Sequence, residues 1–384
     1  MEVYLDNSAS TRTDQDVVDL MVRVLREDYG NPSALHTKGM KAEAYLREAR
    51  EQIAGTLKVK SKEIVFTSGG TEGNNLLVLG AAHANARAGK HILTSPFEHA
   101  CVYESMRFLE EEGYEIEELH VDRDGRIDPE ELRDRIRPDT ILVSIMQVNN
   151  EMGALQPLAE IGRIVKEVNP ACLLHTDAVQ SYGKIRIVPR DLGVDLLAAS
   201  GHKIHGPKGS GFVYIKDKSK LSPLLLGGGQ ERGYRSGTEN TAAIAGLGLA
   251  AEKICAGLEE NQDRLYKLKE HLIERLTRIP GLTVNGRTGR DSAPQIISVS
   301  LEGIRAEVML HALEDKGIFV SAGSACSSNH PRISRTLQAI GLKRELLDST
   351  IRISLSVYTT MEEIDYTCDC MGQLVPILAR FRRH

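Results

Sequence analysis

The chain has 384 residues, a formal charge of −5 from 48 basic and 53 acidic side chains, and six cysteines. Its length indicates two domains, its mildly acidic balance argues against a nucleic-acid surface, and its few cysteines, without a regular spacing, favour a reducing compartment. The N-terminus has no basic and apolar leader, and no apolar run is long enough to cross a bilayer, so we expect a cytoplasmic protein away from membranes.

Strands and helices are predicted to alternate through the first two-thirds of the chain. A helix is expected between a cap at Asp14 and residue 30, with Val18, Met21, Val22 and Leu25 on its apolar face, and another at about 38–57. This alternation indicates an open, largely parallel α/β sheet. Short apolar runs predict strands at residues 3–5, 63–67, 91–94, 140–148, 171–176, 194–199 and 212–215.

A glycine turn followed by a helix start is predicted after the strand at 63–67. Residues 68–75 read Ser-Gly-Gly-Thr-Glu-Gly-Asn-Asn. Such a turn places free backbone N–H groups and the positive end of a helix dipole at one point, which suits a phosphate group. A plain tight turn explains the same residues, and this stretch alone leaves both interpretations open.

Polar side chains follow the ends of several predicted strands. In open α/β sheets, ligands bind outside the carboxyl ends of the strands, so these residues are expected to share one site. Three of these residues also have a simpler explanation: Lys203 as a solvated lysine, Asp177 as a helix cap and His99 as a buried histidine. The residues in this position are Thr71, His99, Asn150, Asp177, Gln180 and Lys203.

The tail of the chain has a pattern of its own. Beyond residue 255 the predicted order is strand (295–301), helix (306–316), strand (318–321), a loop and a helix, strand (350–355) and a last helix that begins at a capping box of Thr360 and Glu363. We expect a smaller α/β domain here. The predicted division is 15–255 for the large cofactor-binding domain, and 1–14 with 256–384 for the small domain.

A lysine that condenses with an aldehyde, a phosphate cradle and an aspartate on a neighbouring strand together describe a pyridoxal phosphate site. The chain resembles the cysteine desulfurases of the NifS/IscS-like branch, within the class V pyridoxal phosphate aminotransferase superfamily. Five stretches in order carry the resemblance: Gly-Gly-Thr-Glu-Gly-Asn-Asn at 69–75, His-Thr-Asp-Ala-Val-Gln at 175–180, Ser-Gly-His-Lys at 200–203 with Gly-Pro-Lys-Gly at 206–209, Arg-Ser-Gly-Thr at 235–238, and Ser-Ala-Cys at 324–326.

The resemblance implies a fold and an activity. The fold would be the aspartate-aminotransferase-like transferase fold of type I, with a large, mainly parallel sheet domain and a smaller α/β domain. The enzyme would take sulfur from L-cysteine, release L-alanine and hold the sulfur as a persulfide for iron–sulfur cluster assembly and related transfer. A homodimer and a sulfur acceptor, such as an iron–sulfur scaffold protein, are implied partners. The alternatives are a selenocysteine lyase, another enzyme of this cofactor and fold, or an inactive relative.

The resemblance also assigns roles to the motif residues. Lys203 would bond the aldehyde of pyridoxal 5'-phosphate and move protons, and Cys326 would be the nucleophile that takes the sulfur. Cys326 also fits a small buried hydrophobe, and Arg352 a structural ion pair. The remaining implied roles are the pyridine nitrogen for Asp177, the phenolic oxygen for Gln180, ring stacking and acid–base work for His99, the phosphate for Gly70, Thr71, Ser200 and His202, the phosphate of the other subunit for Thr238, and the substrate carboxylate for Asn150 and Arg352.

The chain departs from the family pattern after Arg352. Relatives usually continue Ser-Leu-Gly-Arg, whereas residues 354–357 here are Ser-Leu-Ser-Val. This removes a cation that we expect near the mouth of the site.

Overall fold

The structure is a computed structural model that describes residues 1–322 and 334–381. In its first two-thirds, the elements are β1 (Val3–Tyr4), α1 (Gln15–Arg26), α2 (Thr37–Leu57), β2 (Ile64–Thr67), α3 (Gly70–Asn85), β3 (His91–Thr94), α4 (Ala100–Glu111), β4 (Glu115–Glu118), α5 (Pro129–Arg135), β5 (Thr140–Ser144), α6 (Leu158–Val168), β6 (Leu173–Asp177), β7 (Leu196–Ser200), β8 (Gly211–Ile215) and α7 (Thr241–Ala256).

The large sheet confirms the predicted α/β class. Within the described residues it has seven strands in the order β2-β8-β7-β6-β5-β3-β4. The pairs from β7 through β4 are parallel, and β8 runs antiparallel to both of its neighbours. The carboxyl ends of β5, β6 and β7 therefore meet at one edge of the sheet, as the site prediction requires.

Both faces of this sheet are covered by helices, which explains why its inner strands are mostly apolar, whereas the edge strand β4 is acidic and partly exposed. Alternate residues of a strand point to opposite faces. Phe212 and Tyr214 of β8 therefore join a cluster with α2, α6 and α7, whereas Val213 and Ile215 join one with α3 and α4. Each fully buried side chain of this kind contributes about 1.5–3 kcal/mol to folding.

A second sheet forms in the last third of the chain. The elements of this last third are α8 (Leu258–Leu276), β9 (Leu282–Asn285), β10 (Ile296–Leu301), α9 (Ala306–Glu314), β11 (Ile318–Phe319), β12 (Ser321–Ala322), α10 (Arg335–Ala339), β13 (Thr350–Ser354) and α11 (Met361–Leu378).

This second sheet is antiparallel and runs β12-β13-β10-β9. The N-terminal strand β1 pairs with β11, with Val3 opposite Ile318. Val3 and Leu5 belong to the same hydrophobic cluster as α8, α9 and α11. The N-terminal residues thus pack with the tail of the chain, while the predicted domain boundaries stay a prediction.

Several local predictions need correction. The face predicted for α1 was partly wrong. Met21 packs against the core beside the buried Val17, and Val24 is buried too, whereas Val18, Val22 and Leu25 are exposed. Apolar side chains lie on both sides of this helix, and its contact with α7 at Gly246 selects the side with Val17. The strand expected at 140–148 ends at Ser144, because the apolar residues that follow are buried in a loop rather than in a strand.

Two further features of the helices bear on the predictions. The capping box of α11 is confirmed: Glu363 N–H donates to Thr360 Oγ1 at 3.2 Å, and Thr360 N–H donates to the Glu363 carboxylate at 2.8 Å. Among the described helices, none alone has the length and apolar content to cross a membrane; α7 and α8 reach them only together, across a bend of 70°.

Candidate active site

The predicted site residues converge on a cavity of about 340 Å³ at the carboxyl ends of β6 and β7. Every predicted site residue that the structure describes lines it, apart from Thr238. Cys326 lies outside the described residues. A larger cavity, of about 570 Å³ between α1, α2 and α7, contains none of them. The predicted residues in the smaller cavity are Gly70, Thr71, His99, Asn150, Asp177, Gln180, Ser200, His202, Lys203 and Arg352.

Lys203 lies in a short 3₁₀ turn directly after β7. Its Nζ donates to the main-chain oxygens of Ser8 and Ala9, the second at 2.7 Å. The segment after β1 therefore folds over the lysine and forms part of the cavity wall. Ser8 and Ala9 were not predicted, since small residues far from the motifs carry no local signal of this contact.

Asp177 is the last residue of β6 and is buried. One carboxylate oxygen accepts from Val179 N–H at 2.9 Å, and the other accepts from Asn74 Nδ2 at 2.8 Å. Burial raises the pKa of Asp177, while the nearby His99 and the two donors act to lower it. A buried carboxyl of this kind is suited to a cationic partner within the cavity, such as a protonated ring nitrogen.

The N-terminus of α3 supplies the predicted anion cradle. Gly69 caps the helix with a φ of +154°, and Gly70 opens it. A Cβ on Gly70 would lie 2.6 Å from Val179 Cγ2, so a side chain does not fit here. The first N–H groups of any helix lack partners inside it. In this 16-residue helix they lie beside Ser200 and His202 in the cavity, an arrangement that fits a phosphate group.

His99 caps α4 and faces the cavity. Its Nδ1 accepts from Cys101 N–H at 3.2 Å and lies 3.0 Å from Cys101 Sγ. Because Nδ1 accepts the backbone hydrogen bond, we assign the ring proton of the neutral histidine to Nε2. The ring lines the cavity with Lys203 and Asp177, and its role there stays a prediction.

Arg352 reaches the cavity from β13 and is buried. Its guanidinium donates to Asn150 O at 2.8 Å and pairs with Asp6 at 2.9 Å, while its buried Nε has no partner among the described residues. The ion pair expected as an alternative is thus present, with a partner that was not predicted. The loop after β13, where the chain departs from the family pattern, is held by Arg264, which donates to Val357 O at 2.7 Å.

Thr238 is not brought to the cavity of its own chain. It lies in a separate cavity of about 160 Å³ with Glu231, Arg235 and Ser68. Contact with the cofactor phosphate of another subunit stays a prediction.

Two polar residues beside the site were missed, the buried Asn74 and the half-buried Glu98. Asn74, quoted in a motif without a role, bonds to Asp177. The carboxylate of Glu98 accepts from Ser95 Oγ at 2.5 Å and from Met146 N–H at 2.7 Å, and burial raises its pKa to about 8. The only sequence signal for Glu98 is its position next to the predicted site residue His99. For Asn74 it is its position in the motif at 69–75.

The described residues fit pyridoxal phosphate. An amine, a buried carboxyl, an aromatic ring and a helix N-terminus surround one cavity, and they match an aldehyde, a ring nitrogen, a ring face and a phosphate. Ser8 Oγ, which also lines the cavity, is buried without a partner among the described residues, so a further polar group has a place there. In the described ranges, no group of three or more His, Cys, Asp or Glu side chains is arranged to hold a metal ion.

The chain is similar over nearly its whole length to proteins of one family. A family profile described as aminotransferase class-V matches residues 3–367. The cysteine desulfurase IscS of Dictyoglomus turgidum is 43% identical over 376 residues, which cover 97% of this chain and 94% of the relative. A solved structure of a NifS-like protein has a TM-score of 0.93 at 39% identity, over 98% of this chain and 100% of the other. Another, described as SspA in complex with cysteine, has a TM-score of 0.81 at 35% identity, over 94% and 100%.

Proposed function

Because the chain belongs to the class-V aminotransferase family and functions as a cysteine desulfurase, we propose that it uses pyridoxal 5'-phosphate to take sulfur from L-cysteine. The observation that carries the choice of cofactor is the convergence of Lys203, Asp177 and the first turn of α3 on one cavity. When bound, the cofactor supplies an electron sink for negative charge at the substrate α-carbon.

On the cofactor side, each residue would have one task. The Lys203 amine would bond the aldehyde carbon and, once displaced by the substrate amine, move the proton at the α-carbon. Asp177 would hold the proton on the ring nitrogen, with Gln180 at the phenolic oxygen. His99 would stack on the ring and exchange protons through Nε2. The first turn of α3, with Ser200 and His202, would bind the phosphate.

On the substrate side, Arg352 and Asn150 would bind the carboxylate of L-cysteine. A guanidinium is suited to a carboxylate because it offers several N–H donors in one plane. The Asp6 carboxylate accepts a hydrogen bond from one terminal nitrogen of the guanidinium and fixes its orientation. The buried Nε has no partner among the described residues and still has a hydrogen to donate.

The sulfur transfer itself is assigned to Cys326. Its thiolate would attack the substrate sulfur, so that an S–S bond forms and the Cβ–S bond breaks. The β-carbon keeps the electron pair and takes a proton, which gives L-alanine and a persulfide on Cys326. We further propose that the enzyme acts in the cytoplasm as a homodimer in which Thr238 reaches the phosphate of the other subunit, and that an iron–sulfur scaffold protein receives the sulfur.

The decisive experiment is a single turnover with L-cysteine. We expect one alanine per active site and sulfane sulfur on Cys326, mapped by mass spectrometry. Cys326→Ala should still bind the substrate, yet make almost no alanine and carry no persulfide. Cys172→Ala, which removes a buried thiol from the core, is the matched control. Sulfur on another cysteine, or full turnover without Cys326, would exclude this assignment and favour a selenocysteine lyase or another enzyme of the fold.

A further inference from the structure

Asn74 is a fully buried amide beneath the cavity, in the first turns of α3. Its Nδ2 donates to Asp177 Oδ2 at 2.8 Å and to Cys101 Sγ at 3.3 Å. Its Oδ1 lies 3.1 Å from His175 Nε2. All the hydrogen-bonding atoms of the side chain are therefore in use, and two of these contacts lead to groups beside the proposed cofactor.

The orientation of Asn74 is set by His175. Burial lowers the pKa of His175 to about 3, so this ring is neutral and carries one proton. Ser144 Oγ lies 2.8 Å from Nδ1. With the proton on Nε2, the ring donates to Asn74 Oδ1 and accepts from the Ser144 hydroxyl. A flipped amide would place its oxygen against the Asp177 carboxylate and leave two acceptors in contact.

We propose that Asn74 is a positioning residue, which holds the Asp177 carboxylate in place for the ring nitrogen of the cofactor. The inference rests on the proposed function, since it takes the Asp177 partner to be that nitrogen. The amide supplies the donor for one carboxylate oxygen and Val179 N–H supplies the donor for the other.

The electrostatic effect of the Asn74 contact has a definite sign. Burial raises the pKa of Asp177, and the Asn74 hydrogen bond opposes that rise. Loss of the amide should therefore favour the protonated acid, which pairs less well with a ring cation.

The second branch from Asn74 ends at His99. Cys101 Sγ, which accepts from Asn74, lies 3.0 Å from His99 Nδ1. His99 Nδ1 also accepts from the Cys101 main chain. Substitution of Cys101 should therefore disturb the site less than substitution of Asn74 does, because the hydrogen bond from the Cys101 main chain to His99 Nδ1 is kept.

The test compares two ligands that differ only at the ring nitrogen. The dissociation constants of pyridoxal phosphate and of its 1-deaza analogue, in which C–H replaces that nitrogen, would be measured on full-length protein freed of cofactor. Wild type should prefer pyridoxal phosphate. Asn74→Ala should reduce this preference by about tenfold, the typical effect of losing one hydrogen bond to a charged group. The control is Asn75→Ala, which loses a hydrogen bond to Cys101 O at 3.1 Å and should keep the wild-type preference.

The outcomes separate this inference from its premise. If wild type does not distinguish the two ligands, the pairing of Asp177 with the ring nitrogen is wrong. If wild type distinguishes them and Asn74→Ala does so equally well, Asp177 needs no positioning by Asn74 and the inference is overturned. Should Asn74→Ala not fold, Asn74→Asp keeps the volume while it removes the N–H donors, and the preference should fall at least as far. A general loss of packing would weaken the binding of both ligands equally and leave the preference unchanged.

Discussion

The cavity has two walls that the chain builds in different ways. The first, which we call the cofactor wall, consists of Gly70, Thr71, His99, Asp177 and Lys203, all at strand ends or helix starts of the large sheet. These residues share a wall because parallel strands end at the same edge.

The second, the substrate wall, consists of Ser8, Ala9 and Arg352, with Asp6 behind the arginine. Asp6 and Arg352 are 346 residues apart in the chain and meet only because β1 and its following segment lie beside β13. The residues proposed to hold the cofactor thus depend on the local geometry of one sheet, whereas the arginine proposed to bind the substrate depends on a long-range contact.

The largest effect is expected on the cofactor wall, at Lys203. Lys203→Ala should lose the covalent cofactor, and alanine formation should fall by at least about 10³-fold, because the amine serves both for bonding and for proton transfer. The measurement is borohydride reduction followed by mass spectrometry. Lys208→Ala removes an exposed lysine five residues away and should leave the adduct intact. A reducible adduct in Lys203→Ala would show that another amine holds the cofactor.

Asp177→Asn tests the same wall without removal of the cofactor. An amide cannot keep the ring nitrogen protonated, so kcat should fall by about 10²- to 10³-fold. The cofactor should remain bound, because its proposed contacts with Lys203 and the first turn of α3 are unchanged. Bound cofactor is counted by its absorbance and alanine by chromatography. Unchanged alanine formation would remove Asp177 from the mechanism.

Substitutions in the substrate wall should change KM for L-cysteine and leave the amount of bound cofactor unchanged. Arg352→Lys keeps the charge but loses the planar set of donors, and we expect KM for L-cysteine to rise by about 10- to 100-fold. Asp6→Asn should raise KM by less, because the arginine keeps its contact with Asn150 O. Loss of cofactor from either variant would mean that the two walls are not separate in function.

The last effect concerns stability instead of activity, at Glu98 behind the cofactor wall. Burial raises its pKa from 4.5 to about 8, so the folded protein keeps a proton that the unfolded chain releases. The contribution of Glu98 to stability should therefore decrease as the pH rises between about 4.5 and 8.

Glu98→Gln isolates this effect, because the amide oxygen keeps an acceptor for Ser95 and Met146. It should change the free energy of unfolding in urea by less than about 1 kcal/mol at pH 5 and stabilise the protein by about 4 kcal/mol at pH 8, because one pKa unit corresponds to about 1.4 kcal/mol. Glu110→Gln, at an exposed position on α4, is the control. Equal effects of Glu98→Gln at both pH values would contradict the raised pKa.

The sequence by itself determined the class of the fold and the cofactor wall. Apolar runs that end in Asp177 and Lys203 predict strands with functional ends, and the glycine turn before Thr71 predicts a helix start, since these signals depend on residues close together in the chain. The tertiary structure decided which face of α1 is buried, because apolar side chains line both sides of that helix and only contact with α7 distinguishes them.

The tertiary structure also decided the partners of the predicted site residues. Asp6 beside Arg352, Ser8 over Lys203 and Asn74 under Asp177 are contacts between segments that no local pattern connects. Such contacts arise where buried polar groups need partners once the sheets have packed. The sequence therefore predicts which side chains carry the chemistry, and the packed structure determines which neighbours orient them.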